Sequence, residues 1–193
     1  MIKRFISIKS ILFFLIATLS LFSLQAQTDN DLPTIEDKII GLQTGLFGFW
    51  GHYETKITSS ISLRGEFGLD LGLRKGVFTN DEMVFALIPN LVVESRWYYS
   101  LERRIRKGKS IAHNSGFFLG IKSRYYPDWF VISSDDSVSI VESIDFIPKI
   151  GYRKVWNNHL SFESGFGIGK SLNIPSDNWD TTAELTFRIG YNF

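Results

Sequence analysis

Residues 183–193 alternate without a break. Ala183, Leu185, Phe187, Ile189, Tyr191 and Phe193 are apolar, while Glu184, Thr186, Arg188, Gly190 and Asn192 are small or polar. A period of two places one set on each face of a β-strand. About ten such residues also suffice for a tilted strand to cross a bilayer. Six more segments carry the pattern. Residues 57–73 show it most cleanly, with Ile61, Leu63, Phe67, Leu69 and Leu71 set against Ser62, Arg64, Glu66, Gly68 and Asp70. Residues 40–50 set Ile40, Leu42, Leu46 and Trp50 against Gly41, Gln43 and Gly45. Residues 84–101, 117–126, 144–153 and 160–172 complete the series.

The connections sort the strand ends. Residues 74–83, 127–138 and 173–182 are polar and acidic and read as long loops. Residues 52–56 and 155–158 read as tight turns, the latter around Asn157-Asn158. Residues 102–115 carry Arg103, Arg104, Arg106, Lys107 and Lys109. Bacterial barrels keep short turns on the periplasmic side and longer loops outside. With Phe193 on the periplasmic side, every tight turn falls there. Trp50, Trp97, Tyr99, Tyr152, Tyr191 and Phe193 are expected to form an outward-facing aromatic band near that end. Phe85, Tyr125 and Trp129 supply a second band near the other, as membrane interfaces select. The predicted fold is all-β, a single transmembrane antiparallel up-and-down barrel of eight strands. Seven are visible, and single-chain bacterial barrels have even counts. The eighth is expected either at residues 34–38 or at residues 129–132.

The N-terminus reads as an export signal. Lys3, Arg4 and Lys9 precede an apolar stretch from residue 11 to 24, and Leu24-Gln25-Ala26 offers a small-residue cleavage site. The domain reading is residues 1–26 signal peptide, 27–38 periplasmic linker and 39–193 barrel. Removing the signal takes the formal net charge from +1 to −2, which argues against nucleic acid as a partner. The chain has no Cys, so it offers no disulfide, thiol nucleophile or lipid-acylation site. It nevertheless carries 17 Phe, 7 Tyr and 5 Trp, and no later apolar run is long enough for a spanning helix. That much apolar surface needs either a closed barrel in a membrane or a β-sandwich.

The face opposite the apolar one carries Arg64, Glu66, Asp70, Glu94, Arg96, Lys122, Arg124, Asp145, Lys149, Arg153, Glu163, Glu184 and Arg188, seven basic and six acidic groups. An eight-stranded barrel is only wide enough for its side chains to fill. Near-balanced ions there are expected to pair across the lumen, because an unpaired buried charge costs several kcal/mol. With the segments Ser95-Arg96-Trp97-Tyr98-Tyr99 and Phe187-Arg188-Ile189-Gly190-Tyr191-Asn192-Phe193, residues 39–193 resemble the small outer-membrane barrels of the OmpA-domain, OmpX and OmpW type found in Bacteroidetes. The resemblance implies the outer membrane of a Gram-negative bacterium, with Tyr191 and Phe193 as the insertion signal. It also implies membrane lipids and the barrel assembly machinery as partners of a monomer.

Candidate chemistry is sparse. His159, Ser161 and Glu163 share one parity and are expected to face the lumen together, where a base, a hydroxyl and a carboxylate could form a nucleophilic triad. Lipid A deacylase barrels use a His with a Ser two residues later, so the spacing partly resembles theirs. Against this, Glu163 is too close in sequence, and the group sits near a periplasmic turn. The competing expectation is a turn-capping His159, with Glu163 paired to Arg188 or Arg153. His52 and His113 are expected in periplasmic connections, with no metal-ligand spacing. Asp135-Asp136 could meet a divalent cation, although a solvated loop is the simpler reading. Residues 103–109 could touch anionic headgroups. Gly165, Gly167 and Gly169 read as strand glycines in a narrow lumen and not as a phosphate loop. The expected role is therefore non-enzymatic, without cofactor or metal. It is structural or interacts at the surface, with a lipid A hydrolase or a narrow solute conduit as alternatives.

Overall fold

Strict alternation closes on itself in three dimensions. The computed structural model describes residues 33–73, 85–133 and 140–193. Its strands are β1 (Lys38–Gly45), β2 (Gly48–Lys56), β3 (Ile61–Leu73), β4 (Phe85–Trp97), β5 (Gly116–Tyr126), β6 (Ile132–Ser133), β7 (Ser143–Trp156), β8 (Leu160–Asn173) and β9 (Asn178–Asn192). Each long strand pairs antiparallel with the next, and β9 returns to β1 through Gly41↔Asn192 to Gly45↔Arg188. β6 only adds two residues to β4, pairing Leu87 with Ile132 and Ala86 with Ser133. The wall therefore has eight strands and is closed by the β3–β4 ladder.

The eighth strand lies in neither expected place. Residues 40–50 are not one strand but a hairpin. Gly45 faces Gly48 across the two-residue turn Leu46-Phe47. Gly48 has φ 140°, and a Cβ there would stand 2.1 Å from the Leu69 carbonyl oxygen. Only glycine combines that dihedral with that approach. The turn resets parity, so Phe49 points outward and Trp50 inward. Trp50 is thus a lumen residue and not part of an outer aromatic band. Residues 52–56 belong to β2 and are not a tight turn; the reversal comes at residues 57–60, where the Ile57 and Thr58 amides donate to the Ile61 carbonyl. The expected loop at 173–182 contracts to a turn at 174–177, because the β8–β9 ladder runs out to Asn173↔Asn178.

The two ends of the barrel differ. The near rim holds residues 57–60, 98–115 and 157–159 together with Phe193. Part of the expected linker is built into this rim. The Ile35 amide donates to the Ser59 carbonyl, and the Glu36 amide to Asn114 Oδ1. A paired Lys56 holds the Asp37 carboxyl below its ordinary pKa range. Ile35, Tyr98, Leu101 and Phe118 form a buried apolar cluster, with Ile111 packed against it, and close the lumen from below. Leu101 and Arg104 are the buried side of a short helix, α1 (Leu101–Arg106). The expected signal peptide at residues 1–26, residues 27–32 of the expected linker, the loop at 74–83 and the Asp135-Asp136 pair lie outside the described residues, as does the Phe85 side chain.

Burial is inverted relative to a soluble protein. Ile40, Leu42, Phe67, Ile121, Leu185 and Ile189 stand exposed on the outer wall, while Arg64, Glu94, Arg96 and Glu163 are buried inside. Trp97, Tyr99, Tyr191 and Phe193 are exposed at the near rim, where Trp156 joins them. Tyr152 is half-buried, its ring 4.7 Å from that of Phe117. At the far rim Trp129 and Trp179 are exposed, and Tyr125 donates to Glu142.

Candidate functional site

The lumen is an ion-paired core built from every second residue of the wall. In its near half, Glu163 on β8 receives three guanidiniums: Arg96 at 2.7 Å, Arg153 at 3.0 Å and Arg64 at 3.3 Å. Glu54 on β2 accepts from Arg153 at 2.8 Å through one oxygen. Its other oxygen accepts from Ser62, Asn114 and Tyr98. Burial first, and then this carboxylate, pushes the Tyr98 phenol above its ordinary pKa range. Arg96 also pairs with Glu94 at 2.9 Å and lies over the Phe118 ring. In the far half, Glu184 on β9 holds Lys149 at 2.6 Å, Lys122 at 2.7 Å and Arg124 at 3.3 Å. Arg124 pairs with Asp145 at 2.7 Å and reaches Asp70 at 3.5 Å. Arg188–Glu66 at 2.9 Å and Glu66–Arg64 at 2.5 Å extend the near cluster, which meets the far one at Trp50, stacked under Arg188 and donating to Asp70. The Arg64 Nε and Glu66 Oε1 contact lies off the hydrogen-bond axis, so it is a charge contact more than a directed bond.

All thirteen inward charges named from the sequence thus enter one network. The structure adds Glu54, which lies in residues 52–56, expected as a tight turn and found in β2. Among the described residues the lumen then holds seven acidic and seven basic groups. Balance matters because each ion leaves water on folding, and only close partners offset that cost. The pairs run across the lumen, β2 to β7, β3 to β8 and β5 to β9, so the side chains occupy the bore. Gly167 makes room among them: a Cβ there would stand 2.6 Å from Ile147 Cγ2 and 2.9 Å from Lys149 Cβ.

The expected triad does not assemble. His159 sits in the β7–β8 turn with its ring stacked on the outward Tyr191 at 5.0 Å, and its Nδ1 meets the Asn192 carbonyl at 3.0 Å. Ser161 and Glu163 are buried in the lumen. Residue 159 precedes β8 and does not share its pleat, so its ring does not follow Ser161 and Glu163 into the lumen. The histidine in the lumen is His52, which the sequence reading placed in a periplasmic connection. It is buried with neither ring nitrogen hydrogen-bonded. Ser161 Oγ and Asn192 Nδ2 also lack partners, and His52 and Asn192 flank Gly41. The signal that could have found His52 and Glu54 was present: Trp50, His52 and Glu54 alternate with Phe49, Gly51 and Tyr53. His113 stays in the near-rim connection, with φ 47°. Among the described residues no three His or carboxylate side chains converge as metal ligands.

One cavity opens at the far half. The β1–β2 hairpin reaches only the level of Arg188 on β9 and Asp70 on β3. β9 continues to Asn178, paired there with β8 alone among the described residues. Both faces of β9 therefore line one space of about 390 Å³: Glu184 and Arg188 from the lumen side, Ala183, Leu185 and Phe187 from the outer side. Trp50, Asp70, Arg124 and Tyr126 complete it. Trp50 Nε1 and the Tyr126 hydroxyl both donate to Asp70, at 2.8 and 2.7 Å. The Arg188 guanidinium lies 3.7 Å over the Trp50 ring. The polar groups are already paired with one another, so the cavity floor is the upper surface of the ion network.

Comparison with known proteins returns no matching family model, no matching curated protein and no matching solved structure.

Proposed function

We propose that this chain is an integral outer-membrane β-barrel with a salt-bridged, closed lumen, acting as a structural element or through its far-rim loops at the cell surface. The observation that carries this reading is the inverted burial. A closed barrel satisfies its backbone within the wall, the one β-architecture that tolerates hydrocarbon. Its outer wall is apolar between aromatic rims, and its charges lie inside. In water the same molecule would expose an aliphatic belt far larger than soluble monomers carry. Lipids and the assembly machinery of a Gram-negative outer membrane are the partners this reading requires. The near rim, with Phe193, then faces the periplasm.

Cell fractionation tests the location: the protein is expected in the outer-membrane fraction, with heat-modifiable migration on a gel. Recovery as a soluble protein without a heat shift refutes it. Planar-bilayer recording tests the closed lumen. No steps above baseline are expected, and regular conductance steps would favour the conduit reading. The hydrolase reading has less support, because His159 lies away from Ser161. Replacing Ser161 with Ala is expected to leave the lipid A mass profile of the producing cells unchanged; a shifted acyl pattern would revive that reading.

A further inference from the structure

One cavity outside the lumen joins charge to the apolar belt. It lies at the near rim, encloses about 400 Å³, and is lined by Arg103, Lys107 and Lys109 above and by Tyr99, Phe117 and Ile150 on the wall. Phe117 and Ile150 point outward and are about half exposed, at 48% and 46%. The cationic side is held in place. Arg104 donates from Nε and Nη2 to the Ser110 carbonyl, at 3.2 and 2.7 Å, and folds residues 107–110 back on α1. Gly116 lets α1 approach β5, since a Cβ there would stand 2.8 Å from Ser100 Oγ and 3.3 Å from Arg104 Cδ. Ser100 Oγ in turn accepts the Phe117 amide at 2.8 Å. Among the described residues no carboxylate pairs with Arg103, Lys107 or Lys109. Inside the lumen every guanidinium and ammonium finds a carboxylate. These three do not, and they overhang an aromatic and aliphatic wall.

We propose that this overhang is a binding site for one anionic phospholipid, its phosphate held among Arg103, Lys107 and Lys109 and an acyl chain lying along Phe117 and Ile150. The proposal rests on the outer-membrane reading, which puts the near rim at the phospholipid leaflet. Cations at a membrane surface attract anionic headgroups, and their stems lie along apolar surface while their charges stay at the interface. A free phosphate would leave the apolar half of the cavity unused. A zwitterionic headgroup would leave the cations uncompensated.

The test uses the full chain in phosphatidylethanolamine nanodiscs with phosphatidylglycerol as minor component, retained lipid being counted by native mass spectrometry. Phosphatidylglycerol is expected to be retained selectively and to saturate at one per barrel. The triple variant Arg103→Gln, Lys107→Gln, Lys109→Gln is expected to lose about tenfold or more of that selectivity. Arg106→Gln removes a charge from the same helix outside the cavity and is expected to match the parent protein. The charge-reversed pair Lys107→Glu, Lys109→Glu should exclude the anionic lipid while keeping the heat-modifiable band. Equal retention of both lipids, a loss in Arg106→Gln as large per charge as in the triple variant, or displacement by inorganic phosphate alone overturns the site. Co-flotation with vesicles is read separately: a chain that floats without selectivity overturns this site only, and a chain that does not float overturns the outer-membrane reading beneath it.

Discussion

Replacing Glu163 with Ala lowers the unfolding free energy of the barrel by about 3–5 kcal/mol, the usual cost of leaving buried charge without its partner. The expectation follows from geometry. One carboxylate neutralises Arg64, Arg96 and Arg153, all fully buried. Its removal leaves Arg96 with Glu94, Arg153 with Glu54 and Arg64 with Glu66, and Glu54 otherwise reaches Arg64 and Arg96 only at 3.8 and 3.9 Å. Three guanidiniums then crowd a site that has lost its central negative charge. Urea titration followed by tryptophan fluorescence, in detergent or vesicles, reads the change. Lys170→Ala, on an exposed side chain that donates only to Thr181, serves as the reference and is expected within about 0.5 kcal/mol of the parent. A Glu163→Ala midpoint that coincides with that of the reference would mean that the network contributes nothing as a unit.

Gly48→Val is expected to disrupt barrel closure. The residue sits at φ 140°, where a β-branched side chain costs about 1–3 kcal/mol from the backbone alone, and its Cβ would stand 2.1 Å from the Leu69 oxygen and 3.0 Å from the Leu69 carbonyl carbon. Backbone atoms cannot swing aside as a flexible side chain can. Relief requires opening the β2–β3 ladder at Gly48↔Asp70, next to the turn that creates strand β2. The expected result is a large fall in the heat-modifiable folded band after refolding. Gly51→Ala is the control, since its nearest neighbour beyond the chain would be a Leu42 methyl group at 3.5 Å. Normal folding of Gly48→Val would show that the hairpin turn can be rebuilt in another form.

The turn before Gly48 carries no polar mark of a reversal. Reversals are ordinarily marked by polar and small residues, as Asn157-Asn158 marks the one after β7. Here the turn itself is Leu46-Phe47, exposed at 71% and 44%. An apolar turn between two alternating strands reads as uninterrupted strand. On that pattern β1 and β2 merge, Trp50 faces outward, and His52 and Glu54 fall in a loop. His159 precedes the pleat of β8 by one residue, so local parity does not fix its direction either. The glycines on both sides of the turn were the overlooked signal.

The sequence by itself determined the facing of most wall residues, the all-β antiparallel character and the near balance of inward charge. Side-chain direction in a strand is local, so a period of two carries that information wherever the chain stays extended. Only the tertiary structure decided where the chain reverses at Leu46-Phe47 and which charge meets which. Arg64 and Glu163 lie 99 positions apart, as do Glu54 and Arg153, and no local pattern encodes contacts made across a closed bore. The pairing follows from the register in which eight strands close, and that register is set by the ladder as a whole.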